Sequence, residues 1–247
     1  MKKVTVDGNE ACSMASYLFT DIAGIYPITP SSPMAEHIEK WSKEGKKNLF
    51  GNTPKVVEMQ SEAGAIGFIH GALQVGSLAS TYTASQGLLL MIPNMYKIAG
   101  EMLPLVIHVA SRSLATHALS IFGDHQDIYA ARATGFAYLA SSSVQDAYYL
   151  SGLAHLCTIK SSIPHLHFFD GFRTSHEINK INILEEDKWE SLIDYKAISN
   201  FRSKALIPNN VYTRGTAQND DIYFQNFESR NIYYELQLFG NRYHHFH

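Results

Sequence analysis

The sequence predicts an α/β fold in which helices cover both faces of a mostly parallel β-sheet. Between residues 7 and 170, short strand-like runs alternate with longer segments that have helical patterns. A parallel sheet follows from this alternation, because a helix is the usual connection between parallel strands. The largely apolar run at residues 105–110 supports it further, since it is typical of a strand buried on both faces.

Each element in the first half of this region has a local signal. Residues 9–19 are expected to be helical because Ala11, Ala15, Leu18 and Phe19 share one face. A strand, a helix with proline in its first turn, a strand and a helix opened by a serine are then expected at residues 22–26, 33–43, 55–59 and 61–75.

The second half continues the pattern and then loses it. Strands are expected at residues 77–83, 105–110, 135–139 and 164–169. Helices are expected at residues 86–92, where Pro93 ends or bends the helix, and at residues 143–160. Beyond residue 170, residues 187–198 allow one more helix. Residues 199–225 are rich in turn residues, as in an extended arm or a partly ordered linker.

Composition and charge exclude several classes of protein. The chain has 247 residues, is 45% hydrophobic and 17% charged, and has a formal net charge of −3. It is therefore too apolar for disorder and lacks the basic surface of a nucleic-acid-binding protein. The most apolar region, residues 87–110, contains two prolines and two charged residues, so no membrane span is expected. Without an apolar segment near residue 1, we expect a soluble cytoplasmic protein.

The candidate site lies where the expected strands end. In open parallel sheets, ligands bind beyond the carboxyl ends of the strands. The stiff loop at residues 25–34, with three prolines and three hydroxyl residues, follows the first of these strands. The polar residues that this rule selects are Thr29, Ser61, Glu62, Ser85, Gln86, Ser111, Arg112 and Asp170. Together they could hold a small carboxylic acid and a nitrogen heterocycle.

Each of the three main candidates also has a structural interpretation. The Glu62 carboxyl is either poorly solvated among small apolar residues, which raises its pKa, or part of a helix cap. Arg112 is either an anion clamp or one side of a structural salt bridge. The Thr29 hydroxyl is either a ligand contact or a partner of the backbone in a turn.

Other titratable residues carry weaker signals. His165 and His167 share one face of a strand, but two histidines alone do not predict a metal site. Residues 123–127 are typical of a helix start with acidic residues in its first turn, and His244, His245 and His247 are expected to be solvated. Cys12 and Cys157, the two cysteines, are expected to be buried free thiols.

Seven segments together resemble one known family. They are DGNEA (7–11), YPITPSSPMAE (26–36), QSEAGA (60–65), TASQGL (83–88), ALSIFGDH (118–125), FDGFRTSHE (169–177) and RGTAQN (214–219). In this order they resemble the amino-terminal, pyrimidine-binding domain of pyruvate:ferredoxin (flavodoxin) oxidoreductases. The resemblance implies a three-layer thiamine diphosphate-binding fold at residues 1–180 and an extended arm at residues 181–225. Residues 226–247 depart from the family pattern, as in an interrupted reading frame, a truncated gene product or a split subunit, and truncation is the favoured interpretation.

The resemblance also implies a function. These enzymes oxidatively decarboxylate pyruvate to acetyl-CoA and reduce ferredoxin or flavodoxin. By this resemblance, Glu62 binds the pyrimidine N1′ of thiamine diphosphate, and Thr29 and Arg112 bind pyruvate. Magnesium and the iron–sulfur clusters belong to domains absent from this sequence, because two cysteines cannot ligate a four-iron cluster.

The expected partners are therefore the remaining domains or subunits, in an enzyme that is dimeric when complete. The isolated chain is expected to be inactive. Two alternatives remain open at this point: the same domain in an oxidoreductase for another 2-oxo acid, and an inactive remnant.

Overall fold

A computed structural model describes residues 2–239 and contains the elements of an α/β fold. The strands are β1 Lys2–Val6, β2 Ile22–Ile25, β3 Lys55–Glu58, β4 Ala79–Thr83, β5 Leu105–Ser111, β6 Ala137–Ala140, β7 His165–Asp170 and β8 Asn179–Ile183. The helices are α1 Gly8–Phe19, α2 Ser32–Lys43, α3 Glu62–Gln74, α4 Ser85–Gly100, α5 Gln126–Ala131, α6 Val144–Ser161, α7 Glu186–Glu190, α8 Tyr195–Ser203 and α9 Asp220–Phe239.

Six strands form a parallel sheet in the order β3-β2-β4-β5-β7-β6. All six lie within two residues of the strands predicted from the sequence, which confirms the predicted fold class. One apolar core packs α3, α4 and α5 against one face of the sheet. Side chains of α1, α2 and α6 pack against the other face, so the fold has three layers.

Polar caps explain where several helices begin. The side chain of Asp7 accepts from the Glu10 amide at 2.8 Å at the start of α1. Ser143 accepts from the Asp146 amide at 3.1 Å at the start of α6. Each cap satisfies an amide that the first helical turn leaves without an internal partner.

The strand order places a crossover between β2 and β4. The chain leaves β2 through α2 on one face of the sheet and leaves β4 through α4 on the other face. The loops after β2 and β4 therefore lead to opposite faces, and the carboxyl edge between them is where open α/β sheets bind ligands.

Three expectations need correction. Helix α4 does not end at Pro93 but continues to Gly100, because Met91 and Met95 on either side of the proline are both buried in one core. The single helix expected at residues 187–198 is two short helices, α7 and α8. The sequence analysis also missed the antiparallel pair of β1 and β8, which lies outside the main sheet.

The extended arm expected at residues 181–225 is not confirmed. This region contains the end of β8, helices α7 and α8, an irregular segment, and the start of α9. Helix α9 covers part of the expected divergent tail, whereas residues 240–247, with His244, His245 and His247, lie outside the described residues. Within residues 2–239, no helix is both long enough and apolar enough to cross a membrane.

Helix α7 packs against α6 at Gly152. A Cβ atom at this glycine would lie only 2.4 Å from the Trp189 ring, which is itself 3% exposed and donates through Nε1 to Tyr148 at 3.0 Å. We expect Gly152→Ala to lower the free energy of unfolding by roughly 1–3 kcal/mol, because the rigid indole must shift.

The control for this prediction is Gly71→Ala. Gly71 is an exposed glycine in α3, and its Cβ position has no atom within 4 Å. It should raise the free energy of unfolding by about 0.5–1 kcal/mol. Guanidinium unfolding of the two variants measures both effects, and equal changes would contradict the packing described for Trp189.

Candidate active site

Glu62 lies at the carboxyl end of β3, as the first residue of α3. Ser61, not Glu62, caps this helix, because Ser61 Oγ accepts from the Gly64 amide at 3.1 Å. Glu62 is 6% exposed, and its carboxylate has no hydrogen-bond partner among residues 2–239. The helix-cap interpretation of Glu62 is therefore wrong, and its carboxyl remains available to a ligand.

Gly87, in the first turn of α4, makes room for this carboxylate. A Cβ atom at Gly87 would lie 2.6 Å from Glu62 Oε1 and 2.4 Å from Thr83 Oγ1. Thr83 Oγ1 is itself buried and has no hydrogen-bond partner in the part of the chain that the structure describes. Two polar groups without partners therefore lie on the same side of α4.

Arg112 follows β5 directly and reaches the loop after β2. Its Nη1 donates to the carbonyl oxygen of Thr29 at 2.7 Å, and its Nη2 makes a longer contact of 3.4 Å to Gln86 Oε1. Its Nε is buried and has no hydrogen-bond partner among the described residues. Burial lowers the pKa of Arg112, and the negative charges of Asp127 and Glu62 oppose this shift.

Of the three predicted residues, Thr29 and Arg112 are in contact at this edge of the sheet, and Glu62 lies near enough for its charge to act on the pKa of Arg112. Thr29 contacts Arg112 through its carbonyl oxygen, whereas its hydroxyl is exposed and has no hydrogen-bond partner among residues 2–239. The Thr29 hydroxyl therefore does not hydrogen-bond the backbone of a turn within the described residues. Arg112 makes no side-chain ion pair closer than 4.0 Å in the same range, so a structural salt bridge is not seen either.

Asp127 links the ends of β4 and β5 at this edge by hydrogen bonds, and it was not among the predicted site residues. Its carboxylate is fully buried and accepts from the Ser85 amide at 2.7 Å, the Arg112 amide at 3.0 Å and Ser111 Oγ at 3.2 Å. Burial raises the pKa of Asp127, and these hydrogen bonds oppose the shift. The available signal was its place in the first turn of a predicted helix, but the strand ends that it contacts are distant in sequence.

Ser85, Gln86 and Ser111 hydrogen-bond Asp127 or Arg112 at this edge, and the other candidates have other partners. Asp170 Oδ1 is 2.8 Å from Nε2 of His125, so this carboxylate is engaged outside the contacts of Arg112. His165 and His167 do not act as a pair, because Nδ1 of His165 lies 2.8 Å from the carbonyl oxygen of Ile163. Cys12 and Cys157 are free thiols as predicted, although Cys157 is only partly buried.

A cavity of about 500 Å³ lies away from this site, near the end of α4. Glu101, Lys160 and Arg214 are among its lining residues, and none of Thr29, Glu62 and Arg112 lines it.

A family model described as the thiamine diphosphate-binding domain of pyruvate flavodoxin/ferredoxin oxidoreductases matches residues 14–243. This chain belongs to that family. The match covers all six strands of the parallel sheet, strand β8 and all the residues of the candidate site, and strand β1 lies before it. The family resemblance inferred from the seven sequence segments is thereby confirmed.

Individual relatives agree with the family assignment. The chain is 61% identical over 233 residues to the pyruvate-flavodoxin oxidoreductase of Enterobacter agglomerans and 59% identical over 234 residues to the pyruvate:ferredoxin oxidoreductase of Moorella thermoacetica. These alignments cover 94% and 95% of the chain but only 20% of each relative. The chain thus spans a fifth of the length of these relatives.

A solved structure shows the same fold. It is a 2-oxoglutarate:ferredoxin oxidoreductase from Magnetococcus marinus, with a TM-score of 0.66 and 17% sequence identity. The similarity covers 75% of this chain and 32% of that one. At this identity the likeness supports the α/β architecture alone.

We expect Asp127→Asn to destabilise the chain. The amide group keeps the size of the carboxylate but places an NH2 group against amide or hydroxyl donors, and each unsatisfied buried donor costs roughly 1–3 kcal/mol. The free energy of unfolding should fall by at least about 2 kcal/mol. Urea denaturation measures the change.

Asp187→Asn is the matched control. Asp187 is an exposed carboxylate on α7, so its substitution should change the free energy of unfolding by less than about 0.5 kcal/mol. If the two variants unfold at the same urea concentration, Asp127 does not hold the strand ends as described.

Proposed function

We propose that this chain forms the pyrimidine-side half of the thiamine diphosphate site in an oxidoreductase that converts pyruvate to acetyl-CoA and reduces ferredoxin or flavodoxin. The observation that carries the proposal is the buried Glu62 carboxylate, which has no internal partner and lies close enough to Arg112 for its charge to act on the guanidinium. Family membership and the names of the relatives support the substrate and the electron acceptors.

The chemistry of the site fits the aminopyrimidine ring of thiamine diphosphate. Glu62 and Thr83 offer polar groups without partners, and Gly87 keeps the space beside them free of a side chain. Glu62 is proposed to hydrogen-bond the pyrimidine N1′ and to hold the proton at that atom. When bound, thiamine diphosphate supplies the carbanion chemistry of decarboxylation.

Arg112 is proposed to bind the carboxylate of pyruvate. Nη1 is already fixed by Thr29, whereas Nε has no partner and Nη2 makes only a long contact. The Nε–H and Nη2–H bonds of a guanidinium are parallel, so this edge can bind both oxygens of a carboxylate. The exposed Thr29 hydroxyl is available to donate to a substrate oxygen.

Catalysis requires parts that this sequence does not contain. Domains beyond it are proposed to bind magnesium, the diphosphate group and the iron–sulfur clusters, and to react with coenzyme A. The isolated chain is accordingly proposed to be inactive, with the complete enzyme a dimer that closes over the edge formed by Thr29, Glu62 and Arg112.

We expect Glu62→Gln, in the enzyme assembled with its remaining domains, to lower kcat for acetyl-CoA formation by about 10²–10⁴-fold. Glutamine keeps the size of the side chain but cannot exchange the proton at N1′. Arg112→Gln should instead raise KM for pyruvate by about 10²-fold or more, because one carboxylate loses its charged partner. Steady-state kinetics with pyruvate separates the two effects.

Glu36→Gln and Arg132→Gln, both at exposed positions, are the matched controls and should leave both constants unchanged. Turnover by the Glu62 and Arg112 variants at the rate of the unmodified enzyme would exclude the proposed roles. A panel of 2-oxo acids tests the substrate: preference for a larger acid over pyruvate would replace pyruvate with that acid in the proposal.

A further inference from the structure

A second polar cluster lies between the sheet and helices α1 and α6, and none of its residues takes part in the proposed reaction. It consists of Cys12 on α1, His108 on β5, His155 on α6 and His167 on β7, and we call it the histidine–cysteine cluster. All four side chains are buried, and none is more than 3% exposed. Four elements distant in sequence therefore bring one thiol and three imidazoles together in the protein interior.

Three ligand atoms of this cluster converge on one point. Nδ1 of His108 lies 3.0 Å from Nδ1 of His167, and Cys12 Sγ lies 3.3 Å and 3.8 Å from these two nitrogens. Ligand atoms of a tetrahedral or trigonal metal ion, at about 2.0–2.1 Å for nitrogen and 2.3 Å for sulfur, are separated by about 3.3–3.7 Å. The three observed separations scatter around that range.

The protons of the cluster are compatible with a bound cation. Each Nδ1 atom of a neutral imidazole has either one hydrogen or one lone pair, so the Nδ1 atoms of His108 and His167 share at most one hydrogen. The Cys12 thiol has an acceptor of its own, Ser151 Oγ at 3.6 Å, and need not donate to either ring. A cation at the point where the three atoms converge would be bound by one lone pair of each ring and by the thiolate.

The outer nitrogens of both rings are held as in known metal sites. Nε2 of His167 lies 2.7 Å from Ser141 Oγ, and Nε2 of His108 lies 3.2 Å from Nε2 of His155. Metal-binding histidines usually donate their second N–H to a hydrogen-bond acceptor, most often a carboxylate, a backbone carbonyl or water, and here Ser141 Oγ and His155 Nε2 stand in that position. The His108 ring also stacks on Tyr82, with centroids 5.4 Å apart, so its orientation is fixed.

Charge and softness restrict the ion. A thiolate and two neutral imidazoles carry one negative charge, and no carboxylate among residues 2–239 hydrogen-bonds to the cluster. A monovalent ion leaves the buried site neutral, whereas a divalent ion leaves an uncompensated charge that is costly in an apolar interior. Thiolate and imidazole ligands favour Cu⁺ and Zn²⁺ over harder cations.

We propose that Cys12 Sγ, His108 Nδ1 and His167 Nδ1 bind one thiophilic metal ion, with Cu⁺ preferred to Zn²⁺. Binding replaces the thiol proton of Cys12, which is released to solvent. The bound ion links α1 to two strands of the sheet. Because Cys12, His108 and His167 are fully buried, the metal ion binds while the chain folds and not afterwards.

The test is metal binding by the full chain during refolding. The chain is unfolded in denaturant with a chelator and refolded without oxygen in the presence of Cu⁺, or separately of Zn²⁺, and excess ion is then removed. We expect one equivalent of metal per chain, with Cu⁺ displacing Zn²⁺ when both are present. X-ray absorption should show one sulfur and two nitrogen ligands. Metal content is the readout, so the result is independent of the proposed reaction at Glu62.

Matched variants identify the ligands. Cys157→Ser, at the half-buried second cysteine, should keep one equivalent, whereas refolded Cys12→Ser should lose it. Ser141→Ala removes a partner of His167 without removing a ligand, and should weaken binding by about 10–100-fold.

Two results would overturn the proposal. One is native-like circular dichroism with less than a tenth of an equivalent of either ion in the unsubstituted chain. The other is an unchanged affinity in Ser141→Ala, which decides the question even where Cys12→Ser does not refold.

Discussion

The candidate site depends on the buried carboxylate of Asp127, which fixes the backbone where β4 and β5 end. One carboxylate oxygen accepts the amide hydrogens of both Ser85 and Arg112. Ser85 has a φ of +50°, which costs a residue with a side chain about 1 kcal/mol or more, and the hydrogen bond from its amide offsets that cost. The start of α4 and the guanidinium of Arg112 are thereby held at one edge. Because Asp127 fixes the backbone at this edge, the side chains there are not needed to hold it, and their polar groups can be without hydrogen-bond partners among the described residues.

Most of the parallel sheet could be predicted because its signals are local: the buried, largely apolar run of β5 and the alternation of short strand-like runs with helical patterns. The β1–β8 pair could not be, since Lys2–Val6 pairs with a strand more than 170 residues away and neither strand is distinctive alone. A helix was expected at residues 86–92, with Pro93 ending or bending it, whereas α4 continues to Gly100. Tertiary packing of residues on both sides of the proline outweighs the one backbone hydrogen bond lost there.

The functional sites likewise include some residues that the sequence predicted and some that it did not. The sheet-edge rule selected Thr29, Glu62 and Arg112 because each follows a strand, and the crossover between β2 and β4 brings them together. Asp127 and the histidine–cysteine cluster were not predicted, because the partners of a buried carboxylate or imidazole are determined only when the layers of the fold pack together. Family membership supports the role of the edge, whereas the cluster is argued from its geometry alone.

The central claim is that Glu62 faces the pyrimidine ring while Arg112 and Thr29 face the substrate. The most direct measurement is a crystal structure of the assembled enzyme with thiamine diphosphate and pyruvate. The account predicts a Glu62 carboxylate oxygen within about 3.2 Å of N1′, with Arg112 donating to the pyruvate carboxylate. A pyrimidine ring bound without contact to Glu62, or a pyruvate carboxylate held by other residues, would contradict it.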